Sequence, residues 1–372
     1  MHILLVEPFY TGSHKSWADG YKASSRHEIE ILSLPGRHWK WRMHGAAVTF
    51  AEICRENTKV PDVIIASDML DLASFIALLP RSWRNIPYCI YFHENQLSYP
   101  WSKTDPDVQY QRNRHYSFIN FTSALAADRV FFNSKYHLDS FLESLPDFLK
   151  GFPDYLPLTS IENIRKKSSV LHLGLDLVSL GSSNSSEFHK NEIPLVLWNH
   201  RWEYDKNPDL FFNTLFKLQD LGIDFQLAVC GKEFQSAPDI FSVAKERLAN
   251  RIIHWGFLKS RAEYIQLLNR ADILPVTNIQ DFFGISIAEA AWCGTSILLP
   301  NRLAYSELFP FANFYTKDSD FQLKLIEVIQ GENKIEQKSC FSTLKTYDWN
   351  SMSESYDSLL DSIASDFINI GR

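Results

Sequence analysis

Short apolar runs alternate with longer segments of helical periodicity through the first half of the chain. The apolar runs occupy residues 2–8, 27–34, 62–67, 88–93 and 129–134. Helical patterns lie between them, for example at 67–79 and 114–127. Uninterrupted apolar strands that alternate with helices are typical of a parallel sheet covered on both faces. The pattern therefore predicts a Rossmann-like α/β domain over residues 1–180.

The same alternation resumes after a break in composition. Residues 181–192 are rich in Gly, Ser and Asn without periodicity, which predicts an interdomain linker. New apolar runs follow at 193–200, 225–231, 251–257, 271–277 and 295–300. They predict a second doubly wound domain over 193–345, and helical spacing from Asp348 predicts a final helix within 346–372. Because such domains bind ligands at the carboxyl ends of their strands, we expect the two domains to face a cleft.

Composition narrows the class of protein. The chain has 372 residues, of which 45% are apolar, enough for two ordinary domain cores. No apolar run approaches the ~18 residues of a membrane span, and the first residues lack the features of a signal peptide. The five cysteines are widely spaced with no CxxC pair, which argues against a disulfide framework and a structural zinc site. A cytoplasmic protein with no membrane partner fits these features best.

Charge is spread unevenly along the chain. The formal net charge is −7 at pH 7, which gives no support to nucleic-acid binding by itself. Residues 1–170 nevertheless hold 19 Lys and Arg against 18 Asp and Glu, whereas the remainder holds 18 against 26. Such asymmetry can mean that one half faces a polyanion, or it can be ordinary solvated surface charge. Both interpretations stay open.

The most informative segment is DFFGISIAEAAWCG at 281–294. A turn formed by Phe283, Gly284, Ile285 and Ser286 is predicted to lead into a helix that Gly294 ends. A helix N-terminus offers unpaired N–H groups and the positive end of a dipole, which suit a diphosphate. Gly284 lets a ligand approach the backbone closely. We expect Glu289 to accept hydrogen bonds from ribose hydroxyls and Asp281 from sugar hydroxyls.

This spacing resembles the donor motif of the family 4 retaining glycosyltransferases, which have the GT-B fold. That motif usually opens with Glu, where this chain has Asp281. The resemblance implies that Arg201 and Lys206, in WNHRWEYDKNPDLF at 198–211, bind the donor phosphates. Two fixed cations would stabilise the charge that grows on the departing nucleoside diphosphate. We expect both cations to reach solvent; the alternative is a solvated charged loop.

The resemblance also assigns roles to four residues outside these motifs. Gly12 matches a glycine of the family in the loop after the first strand. His93 matches the histidine that the family places beside the donor sugar. Trp255 and Phe257 lie where the family holds the nucleotide base, although a place in the core is an equal alternative for both.

Two segments of the first domain are candidates for the acceptor side. Residues 34–47 interleave cations with tryptophans, a combination that can pair with phosphates and stack on bases. The alternative is a charged surface loop whose tryptophans belong to the core. The polar residues after the run at 88–93 are placed at the carboxyl edge of the predicted sheet. The acceptor candidates are Arg37, Trp39, Lys40, Trp41, Arg42, Glu94 and Asn95.

Longer strings point to one subgroup. EPFYTGSHKSW, LPGRHWKWRMHGAA, FHENQLSYP and NHRWEYDKNP resemble the glycosyltransferase-like domain-containing protein 1 family, identified as tRNA-queuosine alpha-mannosyltransferases. The resemblance implies GDP-mannose as the donor and the cyclopentenediol of queuosine in tRNA as the acceptor. It also implies a reaction without a protein nucleophile, in which the acceptor hydroxyl attacks from the leaving-group side and a donor phosphate oxygen takes its proton.

No cofactor or metal is expected, because Arg201 and Lys206 take the place of a metal ion. Asp105-Pro106-Asp107 matches the DxD motif of metal-dependent transferases, but its polar, Pro-containing loop indicates coincidence. Two other functions are kept as alternatives. One is a family 4 glycosyltransferase with a lipid or polysaccharide acceptor, for which we find no basic amphipathic helix in the first domain. The other is a non-catalytic GT-B binding module. The presence of Arg201, Lys206 and Glu289 argues against it, because a module without activity would not need all three.

Overall fold

The computed structural model describes residues 1–56, 59–102, 105–110, 112–181, 191–231, 237–332 and 337–370. Contacts divide the chain into two compact units. The first joins Met1–Leu175 to Tyr347–Arg372, and the second is Asp176–Thr346. Most of the predicted linker at 181–192 lies outside the described residues.

The strands, in chain order, are β1 (His2–Tyr10), β2 (Glu28–Pro35), β3 (Val63–Ser67), β4 (Tyr88–Phe92), β5 (Arg129–Phe132), β6 (Ser168–Val170), β7 (Leu195–Trp198), β8 (Gln226–Val229), β9 (Ile252–Trp255), β10 (Ile273–Pro275), β11 (Ser296–Pro300) and β12 (Asn313–Tyr315). The α-helices are α1 (Gly12–Ser24), α2 (Trp39–Glu56), α3 (Leu72–Leu78), α4 (Pro106–Gln109), α5 (Arg114–Ala126), α6 (Lys135–Lys150), α7 (Thr159–Lys167), α8 (Pro208–Asp220), α9 (Ile240–Arg247), α10 (Arg261–Arg270), α11 (Ile285–Trp292), α12 (Tyr305–Leu308), α13 (Phe321–Ile329), α14 (Gln337–Leu344) and α15 (Trp349–Ile370).

Each unit contains one parallel sheet. The strand order is β2-β1-β3-β4-β5-β6 in the first unit and β12-β11-β10-β7-β8-β9 in the second. The middle strands β3, β4 and β7 are buried along their whole length, which explains why they are continuous apolar runs in the sequence. Their carboxyl ends lead directly to polar residues: Asp68 after β3, His93 after β4 and Asn199 after β7.

The final helix α15 belongs to the first unit. Trp349 lies against Gly20 and Gly174, where an added Cβ would come within 2.0 and 2.3 Å of its ring, so only glycine fits at either position. Tyr356 accepts a hydrogen bond from the Trp17 indole at 3.1 Å and donates one to the carbonyl of His172 at 2.9 Å. The sequence predicted this helix but not its place on the N-terminal sheet.

The predicted fold class, an α/β protein with two doubly wound sheets, is confirmed. All ten predicted strands are present, and β6 and β12 add an edge strand that the pattern did not predict to each sheet. None of the helices in the described ranges has both the length and the apolar character that a membrane crossing requires.

Candidate active site

The turn before α11 has the predicted form. Gly284 is the N-cap of the helix with a left-handed φ of 92°, a conformation that side-chain-bearing residues rarely adopt. A Cβ on Gly284 would also lie 3.1 Å from Ile287 and 3.3 Å from Phe309. Gly294, again left-handed, follows the end of the helix. The first turn of α11 therefore begins at a position where a residue with a side chain would be both strained and crowded.

The segment after β7 carries the two predicted cations in different environments. The Arg201 side chain is 50% exposed and lies 3.2 Å from the carboxylate of Glu203. Lys206 is buried, and its ammonium donates to the carbonyl of Gln280 at 2.9 Å and lies 3.1 Å from the Asp205 carboxylate. The expectation that both cations reach solvent is wrong for Lys206. The turn before α8 directs its side chain to the backbone carbonyl of Gln280, the residue before Asp281, where it is buried.

Contacts at both ends of the segment after β7 join it to the stretch around α11. The Asn199 amide donates to the carbonyl of Ser286 at 2.8 Å. A ring nitrogen of His200 lies 3.3 Å from the Ser286 hydroxyl. Lys206 joins the other end of the segment to Gln280, directly before Asp281. Residues far apart along the chain are therefore held together around the N-terminus of α11.

His200 is an uncharged member of this group. Burial lowers its pKa to about 3, and the positive charge of Lys206 acts in the same direction. Its Nε2 atom and the amide oxygen of Asn199 are buried and have no hydrogen-bond partner among the described residues. These two atoms need polar partners that the described residues do not supply, such as a water molecule or a polar ligand.

Asp281 is held in a small hydrogen-bonded network. One of its carboxylate oxygens, Oδ2, accepts from the Tyr305 hydroxyl at 3.1 Å and from the Asn278 amide at 3.2 Å. The same amide nitrogen donates to the Tyr305 oxygen at 2.9 Å. Local sequence patterns gave no sign of either partner, since both act through contacts that form only in the fold.

Glu289 lies one turn into α11 with both carboxylate oxygens engaged. Arg261 donates to one oxygen at 2.8 Å, and the Tyr264 hydroxyl donates to the other at 3.0 Å. Both partners come from α10, whose first turn is fixed by a capping box. A carboxylate has further lone pairs, so these bonds orient Glu289 without excluding a ligand hydroxyl. The helical pattern in the sequence could have predicted α10, but it could not have predicted which residues of α10 contact Glu289.

The candidate base-binding aromatics separate in the structure. Trp255 is partly buried and packs against the core of the second unit, 5.5 Å from Trp202 and 6.0 Å from Phe212 between ring centroids. Phe257, two residues on, is 66% exposed. The surroundings of Trp255 agree with the alternative that it packs with the core. Phe257 is exposed, so a contact with the base stays a prediction for it.

In the first unit, His93 is nearly enclosed. Its backbone N–H donates to Asp68 at 2.8 Å, and its ring lies 4.2 Å from the ring of His14 and 4.8 Å from that of Trp17. Neither ring nitrogen has a hydrogen-bond partner among the described residues. Burial, and then the charge of His14, lower the pKa of His93 well below its usual value. His93 is therefore a neutral donor and acceptor at physiological pH.

His14 and Glu7 form a buried pair beside it. A ring nitrogen of His14 lies 3.0 Å from Glu7 Oε2. Burial alone would lower the pKa of His14, but the charge and hydrogen bond of Glu7 raise it to about 9. Glu7, His14 and His93 bring possible ligand atoms within 4.8 Å of one another. Because Glu7 and His14 already bond to each other, we interpret the group as a hydrogen-bonded pair beside His93 rather than a metal centre.

The 37–42 segment has partly buried and exposed members. Trp39 packs against Trp101 and Tyr116, and the Lys40 ammonium lies 5.6 to 6.0 Å from the centroids of these three rings. Arg37 and Trp41 are exposed, and Trp41 lies over Gly45. Arg42 is partly exposed and donates to the carbonyl of Pro35 at 3.3 Å. Arg37, Trp41 and Arg42 are thus the members that can meet a large ligand without rearrangement.

Lys40 also explains the DxD-like triplet. Its ammonium lies 2.6 Å from the Asp105 carboxylate and 2.5 Å from that of Asp107. Tyr116 donates a further hydrogen bond to Asp107 at 3.0 Å. The positive charge between the two carboxylates is a protein side chain, which favours the interpretation of Asp105-Pro106-Asp107 as a coincidental match.

The remaining predicted site residues lie at loop positions of the first unit. Gly12 begins α1 with a left-handed φ of 52° and open space around the missing Cβ. Glu94 is partly exposed and accepts from Gln96. Asn95 is fully buried, and its amide oxygen accepts the N–H groups of Leu97 and Ser98. Asn95 therefore shapes the turn that carries Glu94, and the acceptor contact expected of it stays a prediction.

Comparison with known proteins adds an independent line of evidence. The model of the tRNA-queuosine alpha-mannosyltransferase N-terminal family matches residues 2–175, and that of glycosyl transferases group 1 matches residues 183–314. A tRNA-queuosine alpha-mannosyltransferase of Drosophila melanogaster is 36% identical over 333 residues, which cover 87% of this chain and 86% of the relative.

Solved structures with similar folds cover 97% of this chain. Anabaena HepE in complex with UDP is 15% identical with a TM-score of 0.67 over its whole length. A glycosyltransferase from Rickettsia africae is 17% identical with a TM-score of 0.66 over 98% of its length. At these identities the likeness concerns the fold alone, which is the expected GT-B fold.

Fold, motifs and comparisons together define the class of protein: this is a glycosyltransferase. The family models match both halves of the chain, and the Drosophila relative matches most of it. The chain belongs to the tRNA-queuosine alpha-mannosyltransferase family.

Proposed function

We propose that this protein transfers mannose from GDP-mannose to the cyclopentenediol of queuosine in tRNA, with retention of the anomeric configuration. The observation that carries the donor side is the meeting of the 199–206 and 280–289 segments around the N-terminus of α11. The acceptor is inferred from the family match over residues 2–175 and from the named activity of the Drosophila relative.

The diphosphate is placed at the start of α11. Backbone N–H groups of the 283–286 turn and the positive end of the helix dipole favour an anion there. Arg201 follows His200, which contacts Ser286, and its side chain is half exposed. Lys206 has three N–H donors, of which Gln280 and Asp205 engage two. Glu289, oriented by α10, is placed at the ribose.

The chemistry we propose is a front-face substitution in which charge stabilisation and positioning do the catalytic work. The acceptor hydroxyl attacks the anomeric carbon as the bond to the diphosphate breaks, and a phosphate oxygen takes the proton. Asp281 and the neutral ring of His93 accept or donate hydrogen bonds to sugar hydroxyls. The reaction needs no metal ion, a proposal supported by the ammonium of Lys40 between Asp105 and Asp107.

We assign tRNA binding to Arg37, Trp41 and Arg42. Changing Arg37 and Arg42 together to Ala should weaken tRNA binding and make its salt dependence less steep, by about one in log–log slope for each phosphate that is no longer neutralised. GDP-mannose binding should stay nearly unchanged. Filter binding of labelled tRNA at several salt concentrations, beside calorimetry with GDP-mannose, measures both effects.

A matched control is the double change of Arg81 and Arg84 to Ala, two exposed arginines of the same unit outside the assigned surface. It should leave the salt slope as it is. An equal weakening of tRNA and GDP-mannose binding in the Arg37/Arg42 variant would contradict the assignment. Unchanged tRNA binding would favour a lipid or saccharide acceptor instead.

A further inference from the structure

Asp281 differs from Glu289, the other acidic residue of the proposed donor site, in the charge of its partners. Glu289 pairs with an arginine, whereas Asp281 Oδ2 accepts from the neutral Tyr305 hydroxyl and the neutral Asn278 amide. Tyr305 and Asn278 are both fully buried. Arg302 donates to the backbone carbonyl of Asn278 at 3.1 Å, which fixes this residue from behind.

The directions of these bonds are determined by chemistry. The Asn278 amide nitrogen is the donor in both of its contacts, to the Tyr305 oxygen at 2.9 Å and to Asp281 Oδ2 at 3.2 Å. The Tyr305 oxygen accepts from Asn278, so its own proton is directed at Asp281. Burial, and then the charge of Asp281, raise the pKa of Tyr305 well above its ordinary value, which keeps that proton in place.

The geometry of this network leaves the two oxygens of Asp281 in different states. Two donors hold Oδ2, whereas the described residues provide no bond to Oδ1 in the same network. A carboxylate accepts at both oxygens, so a carboxylate that is anchored through Oδ2 presents an oxygen without a protein donor, Oδ1, to a ligand. A negatively charged group selects a hydroxyl donor over a phosphate oxygen, so Oδ1 suits the sugar rather than the diphosphate.

We propose that Tyr305 and Asn278 are positioning residues that fix Asp281 so that Oδ1 accepts a hydrogen bond from one hydroxyl of the transferred sugar. This inference rests on the proposed function, which places Asp281 at that sugar. Tyr305 also packs beneath Gly284, 3.5 Å from where a Cβ would lie, so the same side chain supports the diphosphate turn and the sugar contact.

The test is a double-mutant cycle with Tyr305→Phe and Asp281→Ala. Tyr305→Phe removes only the hydroxyl, so kcat for transfer should fall about tenfold to a hundredfold, while the Kd of GDP, which has no sugar, stays unchanged. Because Tyr305 acts through Asp281, the double variant should be no slower than Asp281→Ala alone. The matched control is Tyr315→Phe, since Tyr315 is equally buried and donates to the Val276 carbonyl away from Asp281.

The possible outcomes separate the two claims. If Asp281→Ala transfers at the wild-type rate, the proposed function of Asp281 fails. If Asp281→Ala is slow but Tyr305→Phe is as fast as the Tyr315→Phe control, or if the two effects multiply in the double variant, the positioning role is overturned. Weaker GDP binding in Tyr305→Phe would overturn it too, because the hydroxyl would then serve the diphosphate. Melting temperatures of Tyr305→Phe and Tyr315→Phe show whether any decrease in rate comes from unfolding.

Discussion

Replacing Arg201 with Ala should lower kcat by about 10²–10³-fold and leave the fold intact. The reason for the rate effect is that one preorganised charge opposite a developing negative charge contributes on that order. The fold should survive because the side chain is 50% exposed and its carboxylate neighbour Glu203 keeps contact with solvent, so no buried charge is created. Steady-state kinetics and thermal unfolding measure the two parts.

Arg247→Ala is the control for Arg201. Arg247 lies in the same unit, is 43% exposed and pairs with an acidic residue, Asp220, at 2.8 Å. It should leave kcat and melting temperature nearly unchanged. A normally folded Arg201→Ala enzyme with the wild-type rate would mean that the phosphate site has been assigned incorrectly.

Lys206 requires a different variant, because it is buried against an equally buried partner. Lys206→Ala would leave the Asp205 carboxylate, 1% exposed, without its ammonium, which typically costs about 3–5 kcal/mol. A decrease in activity in that variant would combine unfolding with weaker catalysis. Arg201 is therefore the cleaner test of the phosphate site.

Replacing Asp357 with Ala should destabilise the first unit by about 3–5 kcal/mol, since one buried donor and two partly buried donors lose their charged acceptor at once. Asp357 is buried on α15 and accepts from the Tyr21 hydroxyl at 2.9 Å, the Ser25 hydroxyl and the backbone N–H of Arg26 at 2.9 Å. The change should appear as a lower midpoint in urea unfolding followed by fluorescence.

Asp361→Ala is the matched comparison on the same helix. Asp361 is 40% exposed, pairs with the exposed side chain of Arg26 and lies 3.3 Å from a ring nitrogen of His27, so its removal should cost about 1 kcal/mol, less than that of Asp357. Equal, small decreases in stability in the Asp357 and Asp361 variants would contradict the view that α15 is an integral part of the N-terminal unit.

Strands that are buried on both faces could be predicted from the sequence, whereas the shortest edge strands could not. β3, β4 and β7 are buried on both faces and therefore stood out as apolar runs. β6 and β12 have three residues each, include Ser or Asn and lie at sheet edges, where less apolar surface is required. The place of α15 on the first sheet could not be predicted, because it depends on contacts between residues at opposite ends of the chain, such as Trp17 with Tyr356.

The same distinction applies to the candidate site. The α11 turn was predictable since glycine and helix signals are local, and the cations could be recognised by their place after a strand. Asn278, Tyr264 and Tyr305 were missed because their significance lies in side-chain contacts with Asp281 and Glu289. The burial of Lys206 was missed for the same reason: it depends on the carbonyl of Gln280, 74 residues away.

The most direct test of the proposed function is a transfer assay with radiolabelled GDP-mannose and two preparations of tRNA that differ only in queuosine. The reaction is run in excess EDTA, and label in acid-precipitated tRNA is measured over time. We predict steady incorporation into queuosine-containing tRNA and none into tRNA that lacks it. Equal label in both preparations, no label in either, or incorporation that appears only when Mn²⁺ or Mg²⁺ replaces the chelator would contradict the account.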